Sequence, residues 1–168
     1  GVRREYHPVT KLCEKGVPYY WTWLGIKRSY EKYEEGIAVL SLSPISEIQT
    51  FTISTVDNYN NWKTRRIAGI RTEMYPDEWF YRVHFGWWND KEEPFSIQWE
   101  KLSDSLDKKE KMWLMGDFNS PDAVHGEGYD LIKSDGWYDS FCLAETKDKG
   151  FTVGKIIDGW EDRTDNTQ

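Results

Sequence analysis

The chain has no apolar run near the ~18–20 residues that a membrane-spanning helix needs; its longest, at residues 37–42, is strand-sized. Residues 1–8 hold no apolar stretch, so no secretory signal is expected in them. They also lack an initiator Met, which fits a processed, tagged or cut start. Cysteine is scarce. Cys13 and Cys142 stand far apart with no CxxC or CxxH neighbour, so two buried reduced thiols are expected, with a disulfide or zinc site as the alternative. Positive charge is short as well, 22 Lys and Arg against 29 Asp and Glu, a net −7. A protein held on nucleic acid by its field alone should be basic, which leaves only a local patch for that role. No internal repeat and no low-complexity segment is present.

What is abundant is aromatic: 10 Trp and 10 Tyr in 168 residues. Such side chains give cores bulk and also make stacking walls for ligands. The length fits one domain with a core of its own. Residues 19–23 are aromatic and β-prone, and residues 26–35, charged and tyrosine-rich, read as a loop. Gly36 opens a short apolar strand at 37–41, stopped by Pro44. Residues 48–54, 64–72 and 79–85 have strand composition, and their spacing predicts an antiparallel meander. Phe95, Trp99, Leu102 and Leu106 fall on one face of a helix that follows Pro94. Residues 108–111 read as a solvated connector, 112–115 as a buried strand stopped by Gly116, and 129–134 as a short helix ended at Asp135-Gly136. From residue 159 the chain is polar, with no core-forming pattern. Strands, helix, strand, helix is the order of a mixed α/β (α+β) domain.

The sharpest feature is Gly116-Asp117-Phe118-Asn119, directly after the predicted strand. Gly116 lets the backbone turn. Asp117 and Asn119, two apart, point to the same side of an extended segment. A carboxylate beside an amide can orient water and bind a phosphate oxygen or a hydrated cation. The same residues also suit an ordinary Asx turn. His84 ends a strand otherwise built of aromatics and Val. It is a proton donor or phosphate ligand, or else a satisfied core histidine. His7 and His125 read as surface residues, and Asp158 as a loop residue.

Together, Glu35-Gly36-Ile37-Ala38-Val39-Leu40-Ser41, Arg65-Arg66-Ile67-Ala68-Gly69-Ile70, Val83-His84-Phe85-Gly86-Trp87 and Gly116-Asp117-Phe118-Asn119-Ser120 resemble the endonuclease/exonuclease/phosphatase family, in the family's order. The resemblance implies a DNase I-like four-layer α/β sandwich. It covers nearly all of residues 1–168 as a single partial domain, the middle of the family's domain, incomplete at both ends. It implies His84, Asp117 and Asn119 as catalytic residues: a proton donor or phosphate contact, a water-orienting aspartate, and a phosphate-binding amide. It further implies Arg65 or Arg66 as the phosphate-contacting arginine and Mg²⁺ or Mn²⁺ as cofactor. Asp117 would be a weak metal ligand here, because the family's Leu-Gln-Glu with the main metal-binding Glu is absent from this chain. The closing Ser-Asp-His is absent too. The expectation is a fragment or a truncated gene product, with weak metal binding and little activity alone.

The expected reaction is metal-dependent phosphoester hydrolysis on a small phosphorylated substrate in the cytoplasm, with no membrane partner. The acidic balance argues against nucleic acid as that substrate. Trp21, Trp23, Trp87 and Trp88 cluster beside the motifs, where indoles stack on sugar faces. Trp87 is the substrate-binding candidate among them. The segments Tyr20-Trp21-Thr22-Trp23, Tyr33-Glu34-Glu35-Gly36 and Ile157-Asp158-Gly159-Trp160-Glu161 resemble the maltose 6'-phosphate phosphatase branch. A nuclease of the same family and a catalytically inactive truncated product are the alternatives.

Overall fold

A computed structural model describes residue 11, residues 14–16 and residues 19–152. The chain divides into two compact units, one ending at Asn119 and the other starting at Ser120. The first contains β1 (Tyr20–Ser29), β2 (Tyr33–Ser41), β3 (Ile45–Thr52), β4 (Arg66–Thr72), β5 (Tyr75–His84), α1 (Phe95–Ser105) and β6 (Lys111–Asp117). The second contains the short helices α2 (Gly128–Ser134) and α3 (Ser140–Leu143). The class is α+β, as the element order in the sequence suggests. Among the described residues no helix is long and apolar enough to cross a membrane.

In the first unit, β1 and β2 form an antiparallel hairpin, and β3-β4-β5-β6 form a second sheet. The meander β3-β4-β5 is antiparallel, as its spacing predicts, while β6 joins β5 in parallel after the α1 crossover. Alternation along the strands sorts the two faces. Ala68 and Ile70 of β4, with Phe80 of β5, pack against Ile26, Ile37 and Val39 of the hairpin. The opposite face carries Ile67, Trp79, Tyr81 and Val83, each at most 3% exposed. Beyond the end of β5, Phe85 lies 4.8 Å from Phe95 and 6.0 Å from Trp99 by ring centroids. Each such side chain stabilises the fold by roughly 1.5–3 kcal/mol through burial.

Helix α1 forms for the reason its spacing predicts. Phe95, Gln98, Trp99 and Leu102 make one buried stripe, Pro94 occupies the N-cap, and Leu106 closes the end through its N–H to the Leu102 carbonyl. In the second unit Asp139 caps α3 by accepting from Phe141 N at 2.8 Å, and its other carboxylate oxygen accepts from the Tyr129 hydroxyl at 3.0 Å.

Three expectations are corrected. Residues 26–35 are not a loop but the two arms and turn of the hairpin, with Arg28 opposite Glu34 and Lys27 opposite Glu35. A register shift between Gly25 and Lys27 breaks the period of two and buries both Ile26 and Lys27, which hid the strand. Residues 112–115 are a strand but not a buried one: β6 lies at the sheet edge, with Trp113 49% and Met115 45% exposed. Apolar composition alone does not separate a central strand from an edge strand. Cys142 is an exposed free thiol, donating to Asp139 Oδ2 at 3.4 Å, rather than a buried one. Cys13, His7, Asp158 and the segment 157–161 lie outside the described residues.

Candidate active site at the strand ends

The parallel pairing of β5 with β6 sets His84 opposite Asp117 at the C-terminal ends of both strands. Because β4 runs antiparallel to β5, with Ala68 opposite Arg82, its N-terminal end with Arg66 and the preceding Arg65 comes to the same sheet end. His84 Nε2 stands 3.7 Å from Asp117 Oδ2. Phe80, Arg82 and His84 alternate onto the hairpin-facing side, so the pair opens on the side where Lys27 and Glu35 lie.

The Gly-Asp-Phe-Asn turn is tied down from several sides. Gly116 has φ +144°, and a Cβ there would run into the Val83 carbonyl and Arg82 Nη1, so only glycine fits. Asp117 Oδ1 accepts from Asn119 N at 2.9 Å, an Asx turn, which leaves Oδ2 to face His84. Asn119 has φ +47° and donates through Nδ2 to the Phe85 carbonyl at 2.7 Å, and Phe85 N donates to the Asp117 carbonyl at 3.0 Å. The ends of the two strands are thus locked together by backbone and amide, with Phe118 stacked on Phe85 at 5.7 Å.

The loop after His84 is equally fixed. Gln98, 1% exposed, accepts from Gly86 N at 2.8 Å and donates to the Glu93 carbonyl at 3.0 Å. The buried Glu93 carboxylate takes Thr55 N at 2.9 Å and Val56 N at 2.7 Å. Buried acceptors of this kind, fully paired, position a site rather than act in it.

Charge around His84 is arranged unevenly. Burial, then Arg65, with smaller contributions from Arg82 and Lys27, push the imidazole below its usual range, against the pull of the Asp117 carboxylate. At neutral pH the ring is therefore neutral, a hydrogen-bonding partner more than a standing cation. Arg82 Nη1 is buried with no hydrogen-bond partner, beside Gly116 and two residues before His84. Lys27 is 7% exposed, with Nζ 2.8 Å from the Trp62 carbonyl and 3.4 Å from Glu35. Burial pushes the Glu35 carboxyl up, but the Ser29 hydroxyl and Lys27 outweigh it and hold the group below its usual range.

The expected residues divide as follows. His84, Asp117 and Asn119 meet at one sheet end. Arg65 stands close enough to bear on the charge of both His84 and Asp117, and its Nη1 donates to the Trp62 carbonyl at 2.9 Å. Arg66 is drawn away by an ion pair with Asp57 and a bond to the Gly25 carbonyl. Trp87, 42% exposed, follows β5 and accepts through its carbonyl from Asp90 N and Phe95 N. Trp88 packs on Phe95 at 6.3 Å, and Trp21 is 46% exposed. His125 is exposed beside Asp130. Lys27, Glu35 and Arg82 join the neighbourhood, none of them among the site residues that the sequence singles out. Arg82 carried a readable signal, its position two residues from His84 on one strand.

For a divalent ion the donor set is thin. Asp117 offers one exposed carboxylate and Asn119 an amide oxygen, while Glu35 is engaged by Ser29 and Lys27. Among the described residues no group of three or more His, Cys, Asp or Glu is placed to hold a metal ion. Mg²⁺ asks for near-octahedral oxygen ligands. The described residues do not by themselves fit that requirement.

No family model and no curated protein matches the chain by sequence. Solved structures do. An endonuclease/exonuclease/phosphatase family protein from Leptotrichia buccalis C-1013-b superposes with TM-score 0.83 at 27% identity, over 99% of this chain and 64% of that one. The 2',3'-cyclic phosphatase ANGEL2 shares the fold at TM-score 0.50 and 15% identity, over 79% of this chain and 41% of its own. A Neisseria 3' phosphatase, NExo, bound to a product DNA hairpin, aligns at TM-score 0.46 and 17% identity, over 79% of this chain and 49% of its own. The fold is the DNase I-like α+β fold of these neighbours. By structure the chain is similar to an endonuclease/exonuclease/phosphatase family protein, and it spans 64% of the length of that Leptotrichia protein.

Proposed function

We propose that the protein carrying this chain is a phosphoester hydrolase, a phosphatase acting on a small sugar phosphate. The observation that carries the reading is the meeting of His84 Nε2 and Asp117 Oδ2 at 3.7 Å on adjoining strand ends, beside Arg65 and the unpartnered Arg82 Nη1. Hydrolysis requires an oxygen nucleophile, relief of the charge on the phosphoryl oxygens and a proton for the leaving oxygen. Asp117 Oδ2, free of the Asx bond, orients water and takes its proton as the water oxygen bonds to phosphorus. Arg65, Arg82 and the second Asn119 amide hydrogen are the donors for the phosphoryl oxygens. The neutral imidazole of His84 steadies the group by hydrogen bonding. The ester P–O bond breaks as the bond from water oxygen to phosphorus forms; the ester oxygen leaves as an alcohol with a proton drawn from solvent, Asp117 returns the water's proton to solvent, and inorganic phosphate remains.

A dependence on Mg²⁺ or Mn²⁺ belongs to this proposal, with Asp117 as a weak carboxylate ligand among the described residues. The acidic balance, net −7, supports a small substrate over nucleic acid. The test is a steady-state assay of the protein with 4-nitrophenyl phosphate, sugar 6-phosphates and a DNA oligonucleotide, with and without Mg²⁺ or Mn²⁺. Metal-dependent phosphate release from a sugar phosphate, lost in Asp117→Ala, is expected. Cleavage of the DNA alone would replace the phosphatase with a nuclease.

A further inference from the structure

We propose that the cavity beside the turn of the β1–β2 hairpin is a subsite for the leaving group of the phosphoester, shaped for a neutral hydroxylated group, a sugar or polyol. This rests on the phosphoesterase reading and adds to it the part of the substrate that is not phosphate. The cavity measures about 890 Å³ and is lined by Lys27, Ser29, Glu31, Glu35, Asn60 and Trp62, among others. That is the size range of small-molecule sites.

Its charge argues for the class of ligand. Lys27 is matched by Glu35, and the remaining lining cation, Arg28, is offset by Glu31. A balanced wall gives no net attraction for a second anion, unlike the strand ends, where Arg65, Arg82 and Lys27 all bear on His84. What the wall does provide is the Asn60 amide, the Glu31 carboxylate and the Arg28 guanidinium around the Trp62 indole, while Lys27, Ser29 and Glu35 are already bonded among themselves. Hydroxyl groups, each both donor and acceptor, satisfy such a mixture. The Trp62 indole, 59% exposed, supplies the apolar surface on which the C–H face of a sugar ring packs.

The cavity is also joined to the strand-end site. The Trp62 carbonyl accepts from Lys27 Nζ at 2.8 Å and from Arg65 Nη1 at 2.9 Å. The same two cations bear on His84, so the backbone that carries the indole is pinned by groups that belong to the phosphate end. The hairpin turn itself is costly: Tyr30 and Glu31 are both left-handed, at φ +53° and +56°, where Asn-Gly would turn with less strain.

The test is calorimetric titration of the protein with three probes: inorganic phosphate, glucose 6-phosphate and methyl glucoside. Trp62→Ala and Asn60→Ala are titrated alongside; both residues are exposed or half-exposed, and circular dichroism checks their folding. In the unaltered protein glucose 6-phosphate should bind about tenfold more tightly than phosphate, and Trp62→Ala should bring that ratio close to one. Asn60→Ala should lower it by a smaller factor. A ratio near one in the unaltered protein, or a ratio unmoved by both variants, overturns the subsite and leaves the phosphoesterase reading standing. Methyl glucoside bound through Trp62 with no phosphate binding overturns the phosphoesterase reading instead, and with it the leaving-group role.

Discussion

β5 and β6 lie side by side, run the same way and each deliver one half of the His84–Asp117 pair, yet their surroundings are opposite. β5 is central, with Trp79, Tyr81 and Val83 buried on one face. β6 is an edge strand whose Trp113 and Met115 are about half-exposed. The site is therefore positioned by register and turn geometry rather than by burial of both strands. What holds Asp117 in place is the glycine before it and the Asn119 amide after it, bonded to the Phe85 carbonyl.

The largest effect should come from the central side of that comparison. Phe85, fully buried against Phe95, Trp99 and Phe118, should cost about 3–5 kcal/mol as Phe85→Ala in urea unfolding. Met115→Ala on the edge strand should cost less than about 1 kcal/mol in the same measurement. Equal losses would mean that β6 is as tightly packed as β5.

On activity the order reverses. Asp117→Ala, at the exposed end of β6, should lower kcat by about 10²-fold or more while leaving the unfolding midpoint nearly unchanged, and Asn119→Ala should lower kcat by a similar factor and also cost about 1 kcal/mol through the lost bond to the Phe85 carbonyl. Near wild-type turnover in both would remove the strand-end pair from catalysis.

Gly116→Ala tests the turn that links the two strands. Forcing a side chain to φ +144° against the Val83 carbonyl should destabilise by about 1–3 kcal/mol and also lower turnover, since Asp117 moves with it. A loss of stability with turnover intact would separate the turn from the site.

The smallest effect sharpens the comparison from outside both strands. Asp90, in the loop after β5, accepts from Glu93 N, Lys63 Nζ and Glu92 N, and these bonds lower its carboxyl to about 2. A depressed carboxyl contributes stability above its unfolded value, near 4, and that contribution is lost as pH falls from there through about 2. With solvent screening the share is about 1 kcal/mol. Asp90→Asn should lower stability by that amount at pH 7 and by almost nothing at pH 2. A constant difference across pH would mean that the loop is held by its backbone alone.

Legibility in the sequence followed the same divide. His84, Asp117 and Asn119 could be read because each stands next to a local signal, a strand end or a glycine turn, and because parallel neighbours with one crossover helix finish at the same edge. Lys27 could not be read, since the shift after Gly25 puts two successive residues in the interior and erases the alternation that marks a strand. Arg65 and Arg66 were equivalent on paper. Asp57 and the Gly25 carbonyl claim Arg66, and the Trp62 carbonyl claims Arg65. Of these only the Gly25 carbonyl is far along the chain and on another strand; Asp57 and Trp62 are near in sequence but meet the arginines through the fold of the loop before β4, and side-chain direction depends on them.

Composition and local pattern carried the α+β class, the net −7 and the strand ends at His84 and Asp117, because periodicity, turn residues and charge are local properties. Packing across the chain set the rest: β6 lies at the edge of the described sheet, Cys142 is exposed, Arg65 rather than Arg66 bears on His84, and a hairpin with a buried Lys27 walls a cavity. Each of these depends on which segments meet across long separations. That is set by the summed burial and hydrogen bonding of the packed chain, which no window of neighbouring residues contains.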